Sequence, residues 1–100
     1  MYTMTEILDI PRTWAVLDAI TQVTMGPVYV ERIWYRVGSA GDQVDLYDGM
    51  GTTGKRFNIM EATADTIKSL PVGLVFHAGL YFSDTSGNAN VIISYVPLSE

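Results

Sequence analysis

The sequence predicts an all-β chain, a small antiparallel β-sandwich or jelly-roll-like domain with an N-terminal arm. Three observations carry that expectation. Strand-sized runs rich in Val, Ile, Tyr, Phe and Trp recur from Val28 to Val96, the composition of half-buried pleated segments. Clusters of Gly, Asp, Asn and Ser separate most of these runs, and such residues supply the backbone freedom and local hydrogen bonds of turns. Helical periodicity is scarce. At 100 residues the chain fits one domain, with a core hiding roughly two-thirds of the unfolded surface. No internal repeat or linker interrupts it, so residues 1–12 read as an arm and residues 13–100 as the domain.

That N-terminal segment is weakly patterned and contains Pro11, and it fits either an arm that lies on a neighbour or a strand that joins the sheet edge. Thr13–Met25 fits either helical spacing or two strands around a turn near Asp18, and its Thr and Val content favours strands. After the Gly26-Pro27 turn signal, Val28–Val37 is the clearest strand, with Tyr29, Glu31, Ile33, Tyr35 and Val37 on the face expected to be buried. Gln43–Asp48 and Lys55–Met60 follow as strands joined by a glycine-rich connection. Glu61–Leu70 reads as a loop or a turn or two of helix. Val72–Phe82 carries an apolar stripe at period two and is expected as the central core strand, returning through Asn90–Pro97 as a long hairpin. The expected core centres on Ile33, Leu74, Phe76, Leu80 and Ile93.

Composition narrows the function. Hydrophobic residues make up 48% and charged residues 17% of the chain, a globular balance that disordered chains lack. Eleven acidic against six basic residues give a net charge of −5. Phosphate-backbone binding depends on clustered Lys and Arg, so nucleic acid is not expected as a direct partner. Cysteine is absent, which removes disulfides, thiolate metal sites and cysteine nucleophiles together. No apolar run is long enough to cross a bilayer as a helix, and Met1–Glu6 has no signal-peptide pattern; the expectation is a chain used without membrane insertion or export.

Four features resemble chemistry. Gly49-Met-Gly-Thr-Thr-Gly-Lys55-Arg56 has the glycine and lysine spacing of a phosphate-binding loop, yet Arg56 stands where a magnesium-holding Ser or Thr is required; a hairpin loop explains it better. Asp42, Asp45 and Asp48 suggest a calcium site, but on an extended strand Asp45 points away from the other two. His77, the only histidine, has no activated serine or partner base in view. Trp14, Trp34 and the tyrosines suit sugar stacking, a core or a protein interface equally. No catalytic residue, metal or cofactor is therefore expected.

Ser39-Ala-Gly-Asp-Gln-Val-Asp-Leu-Tyr-Asp-Gly49, Phe76-His-Ala-Gly-Leu-Tyr81 and Asn90-Val-Ile-Ile-Ser-Tyr95 together resemble small β-rich structural proteins of tailed bacteriophages. The resemblance covers about the last seventy residues. It implies a non-enzymatic virion component, a capsid decoration or cement protein on the capsid exterior, made in the host bacterial cytoplasm. The implied partners are the major capsid protein and further copies of the chain, with a trimer as the expected oligomer. Tyr2, Ile7, Leu8 and Ile10 of the arm, with Trp14 and Trp34, are the expected interface residues. The alternative is a carbohydrate- or receptor-binding module of a tail or baseplate.

Overall fold

Each strand in the first half of the chain finds its partner in the second half, in reverse order. The computed structural model describes residues 12–60, 64–84 and 89–98, with the Met60 side chain excepted; Tyr2, Ile7, Leu8 and Ile10 lie outside them. Among the described residues the strands are β1 (Thr13–Leu17), β2 (Thr21–Thr24), β3 (Val28–Arg36), β4 (Gln43–Asp48), β5 (Lys55–Met60), β6 (Lys68–Phe76), β7 (Leu80–Asp84) and β8 (Asn90–Pro97). β1 pairs with β8, β2 with β7, β3 with β6 and β4 with β5, all antiparallel. The chain is thus one long two-stranded ribbon whose tip is the loop between β4 and β5.

Two further antiparallel pairings, β3 with β8 and β4 with β7, roll the ribbon up. The products are two four-stranded sheets of order β1-β8-β3-β6 and β2-β7-β4-β5. That order defines a jelly roll, the eight-stranded double-sheet architecture of two Greek keys. Here the first is sheet I and the second sheet II. Their inner faces enclose a core built around Val28, Val30, Ile33, Val44, Leu46, Leu80, Phe82 and Ile93, all at 0% exposure. Thr13–Met25 forms strands on either side of a turn at Asp18–Ile20, although β1 and β2 enter different sheets.

Sheet I departs from simple alternation at β3. The register of β3 against β8 slips between Val30 and Arg32, so Glu31 is an inserted residue and the side-chain phase flips there. Val28 and Val30 face the core before the bulge; Ile33, Tyr35 and Val37 face it after. Tyr29 and Glu31 therefore leave the face assigned to them by uniform alternation. Tyr29 packs instead with Val75, Val96 and Leu98 in a small second cluster on the opposite side of the sheet.

Val72–Phe82 is not one strand. It divides between β6 of sheet I and β7 of sheet II around a corner at His77–Gly79. An odd number of corner residues keeps Phe76, Leu80 and Phe82 in phase, so the core stripe passes uninterrupted across two strands. Gly79 makes the corner possible: it has φ +137°, and a Cβ there would sit 2.9 Å from the Thr24 carbonyl oxygen. The expected Val72–Pro97 hairpin is replaced by β7 and β8 in opposite sheets. Leu74, expected in the core, lies on the edge strand beside the Gly73 bulge and is 45% exposed. Within the segment read as loop or helix, Lys68–Leu70 belong to β6.

Candidate functional site

The two outer faces of the jelly roll differ sharply in chemistry. Outside sheet II, Gln43, Asp45 and Tyr47 of β4 stand beside Arg56 and Asn58 of β5 and Tyr81 and Ser83 of β7. That surface is polar but for the rings of Tyr47 and Tyr81, whose centroids are 6.1 Å apart. Outside sheet I, the cross-strand row Val16–Ile92–Trp34 continues the neighbouring row Trp14–Ser94–Arg32. Val16 is 76% exposed and Trp14 56%, and Ile67 from the preceding loop is also exposed beside them. Large apolar side chains gathered on one solvent face make this the candidate interaction surface.

The tryptophans meet across an intervening strand. β1 and β3 are separated by β8, about 9.5 Å from strand to strand, yet the Trp14 and Trp34 ring centroids are 5.1 Å apart and tilted by 33°. Both rings must lean inward over β8. Ser94 lies between Trp14 and Arg32 in register and is fully buried; its small side chain leaves room for that approach. Ser94 Oγ donates to Glu31 Oε1 at 3.0 Å, and Arg12 Nε lies 3.0 Å from Glu31 Oε2. Burial raises the Glu31 carboxyl pKa, but the Arg12 and Ser94 hydrogen bonds and the Arg12 and Arg32 charges outweigh it, leaving the pKa lowered. The bulge thus creates a part-buried polar anchor beside the aromatic pair.

A groove of about 380 Å³ runs beside Trp34, with Val16, Ile67 and Ile92 as apolar walls and Asp18 and Asn90 at its rim. Arg36 closes one side, donating to Asn90 Oδ1 at 2.9 Å and pairing with Asp65. Of the six expected interface residues, the structure brings Trp14 and Trp34 into contact; the other four lie outside the described residues. Sequence reading missed Val16, Ile67, Ile92 and Glu31, because their convergence depends on the strand order and the bulge.

The glycine-rich loop, Asp45 and Asp48 are tied into the fold by hydrogen bonds. The Gly49–Gly54 loop is the ribbon tip, a hairpin connection with one short 3₁₀ turn at Gly51–Thr53. No helix follows it; Lys55 opens β5 opposite Asp48. The Gly51 N–H that would face a phosphate donates to Gln22 Oε1 at 2.9 Å. Asp45 accepts from Asn58 Nδ2 on the outer face of sheet II, while Asp48 Oδ1 accepts from the Ala78 N–H at 2.8 Å. Among the described residues no three His, Asp or Glu side chains converge as metal ligands. His77 is exposed at the corner between β6 and β7. Nor is any helix among them long and apolar enough to cross a membrane.

The chain matches no family model, no curated protein and no solved structure.

Proposed function

We propose that this chain is a non-enzymatic structural subunit, a capsid decoration protein on the exterior of a tailed-phage head. In this reading the outer face of sheet I rests on the major capsid protein, and the protein acts as a homo-oligomer bridging neighbouring capsid subunits. The observation that carries it is the contrast between the two faces: Trp14, Val16, Trp34 and Ile92 crowd one side, and polar groups fill the other. A one-sided apolar face suits a protein that settles on a larger surface. The jelly-roll order gives support at the level of fold analogy alone, since viral capsid proteins use it among many other classes.

The test is reconstitution of capsids stripped of the chain. The full-length protein should decorate them and raise their rupture temperature. Trp14→Ser combined with Trp34→Ser should abolish decoration while circular dichroism and melting temperature stay close to those of the parent. Normal decoration by the double variant, or absence of the chain from purified virions, overturns the reading.

One observation favours a carbohydrate- or receptor-binding module instead. The groove sets an indole beside Asp18, Asn90 and Arg36, and sugars are bound by such pairing of aromatic surface with hydrogen-bonding groups. Specific binding on a glycan array that disappears in Trp34→Ala would place this reading first.

A further inference from the structure

Exposed sheet edges invite pairing with another chain, and natural β proteins blunt them with charge, proline, bulges or short length. Three of the four edges here are blunted. β6 carries Lys68, Pro71 and the Gly73 bulge; β5 begins with Lys55 and Arg56; β2 has four residues and a register break between Gln22 and Thr24. β1 differs. Its sequence Thr13-Trp-Ala-Val-Leu17 holds no charge, proline or glycine, and its register against β8 runs without a shift. Among the described residues no strand lies on its outer side.

We propose that β1 pairs antiparallel with β1 of a second copy, about a two-fold axis at Ala15, to join the two copies of sheet I into one eight-stranded sheet. The occupant follows from the self-complementarity of the strand. With the axis at Ala15, Trp14 faces the second copy's Val16 and Thr13 faces its Leu17. Arg12, the residue before the strand and already engaged with Glu31 of its own chain, is then in register with Asp18, the residue after it, at both ends of the pair. Arg12, Trp14, Val16 and Asp18 share the outer face by alternation. An aromatic residue opposite a β-branched one and opposite charges directly across are the favourable cross-strand combinations. Moving the axis to Trp14 would set Arg12 against Val16; moving it to Val16 would set Trp14 against Asp18. Only the Ala15 register sets Trp14 against Val16 and keeps Arg12 and Asp18 from standing opposite apolar side chains.

The pairing is isologous, so each copy gives and receives the same contacts. It extends the row Trp34–Ile92–Val16 of one copy into Trp14 of the next, doubling the apolar face. It is independent of what that face docks on, and it predicts a two-fold unit where the phage resemblance implies a trimer.

Sedimentation equilibrium and a single-cysteine cross-link test it on the full chain. The parent should sediment as a dimer, or as a higher assembly with an even number of copies. Val16→Lys puts a charge on the open edge at an exposed position and should weaken association by about tenfold or more. Asp18→Lys should weaken it in the same direction and leave the melting temperature nearly unchanged. Because the chain has no cysteine of its own, Ala15→Cys reports the register directly. Paired residues at the axis have Cα atoms roughly 4.5–5.5 Å apart, within disulfide reach, so mild oxidation should give a covalent dimer. Lys55→Cys, on another sheet edge, should not. A monomer at all concentrations overturns the proposal, as does a trimer. Ala15→Cys linking no faster than Lys55→Cys, or association unmoved by Val16→Lys, overturns it equally.

Discussion

The Gln22 side-chain carbonyl accepts a hydrogen bond from the Gly51 N–H at 2.9 Å, tying β2 to the tip of the rolled ribbon. The same amide donates through Nε2 to the carbonyls of Gly49 and Thr24, both at 2.9 Å, with the Leu80 carbonyl at 3.3 Å. One side chain therefore joins β2, the ribbon tip and the start of β7. These groups are remote in sequence, and their meeting is what closes this end of the jelly roll. Gln22→Ala should leave part-buried backbone groups without partners and cost ~1–3 kcal/mol, read as a fall in the urea midpoint with an unchanged m-value.

Acid should destabilise the fold through Glu31. Its folded-state pKa is lowered from the ordinary 4.5, because the hydrogen bonds from Arg12 and Ser94 and the charges of Arg12 and Arg32 outweigh burial. A depressed carboxylate contributes stability above its unfolded pKa and loses it as pH falls through the folded value. Unfolding temperature should therefore decline as pH drops below about 4.5, with Glu31→Gln flatter over that window and less stable than the parent at neutral pH. A parent and variant with parallel profiles would remove Glu31 from the account.

The division of Val72–Phe82 into two strands predicts unequal effects along one apolar stripe. Phe76 is 3% exposed within the main core, and Phe76→Ala should cost ~3–5 kcal/mol. Leu74, 45% exposed on the edge strand, removes much less apolar surface from water, and Leu74→Ala should cost ~1 kcal/mol or less. A single central strand would make the two comparable. Denaturant titration of both variants decides between them.

Glycine substitution should rank by backbone crowding. A Cβ on Gly54 would stand 1.7 Å from the Asp48 carbonyl oxygen, whereas one on Gly26 would meet nothing within 4 Å. Gly54→Ala must displace the ribbon tip and should lower the melting temperature by several degrees, for a loss of ~2 kcal/mol or more. Gly26→Ala should be close to neutral. Equal melting temperatures would contradict the packing of the tip against β4.

Local chemistry determined much of this protein by itself. Alternating apolar residues, turn clusters and the absence of long helical patterns sufficed for an all-β sandwich or jelly-roll-like domain and for most strand positions; that Trp14 and Trp34 meet was not legible in them. Those signals are short-range: the side-chain period, turn propensity and residue size act within a few residues. The tertiary structure decided the rest. A bulge at Glu31 moved Tyr29 to the outer face, because one inserted residue reverses the phase of everything before it. The His77–Gly79 corner split an unbroken stripe between two sheets, because an odd-length corner preserves alternation and leaves no mark in the pattern. The meeting of Val16, Ile92, Ile67 and the two tryptophans required the order β1-β8-β3, which joins residues some eighty positions apart. Strand order is set by which pairings bury the most apolar surface together, a property of the whole rolled ribbon that no single segment carries.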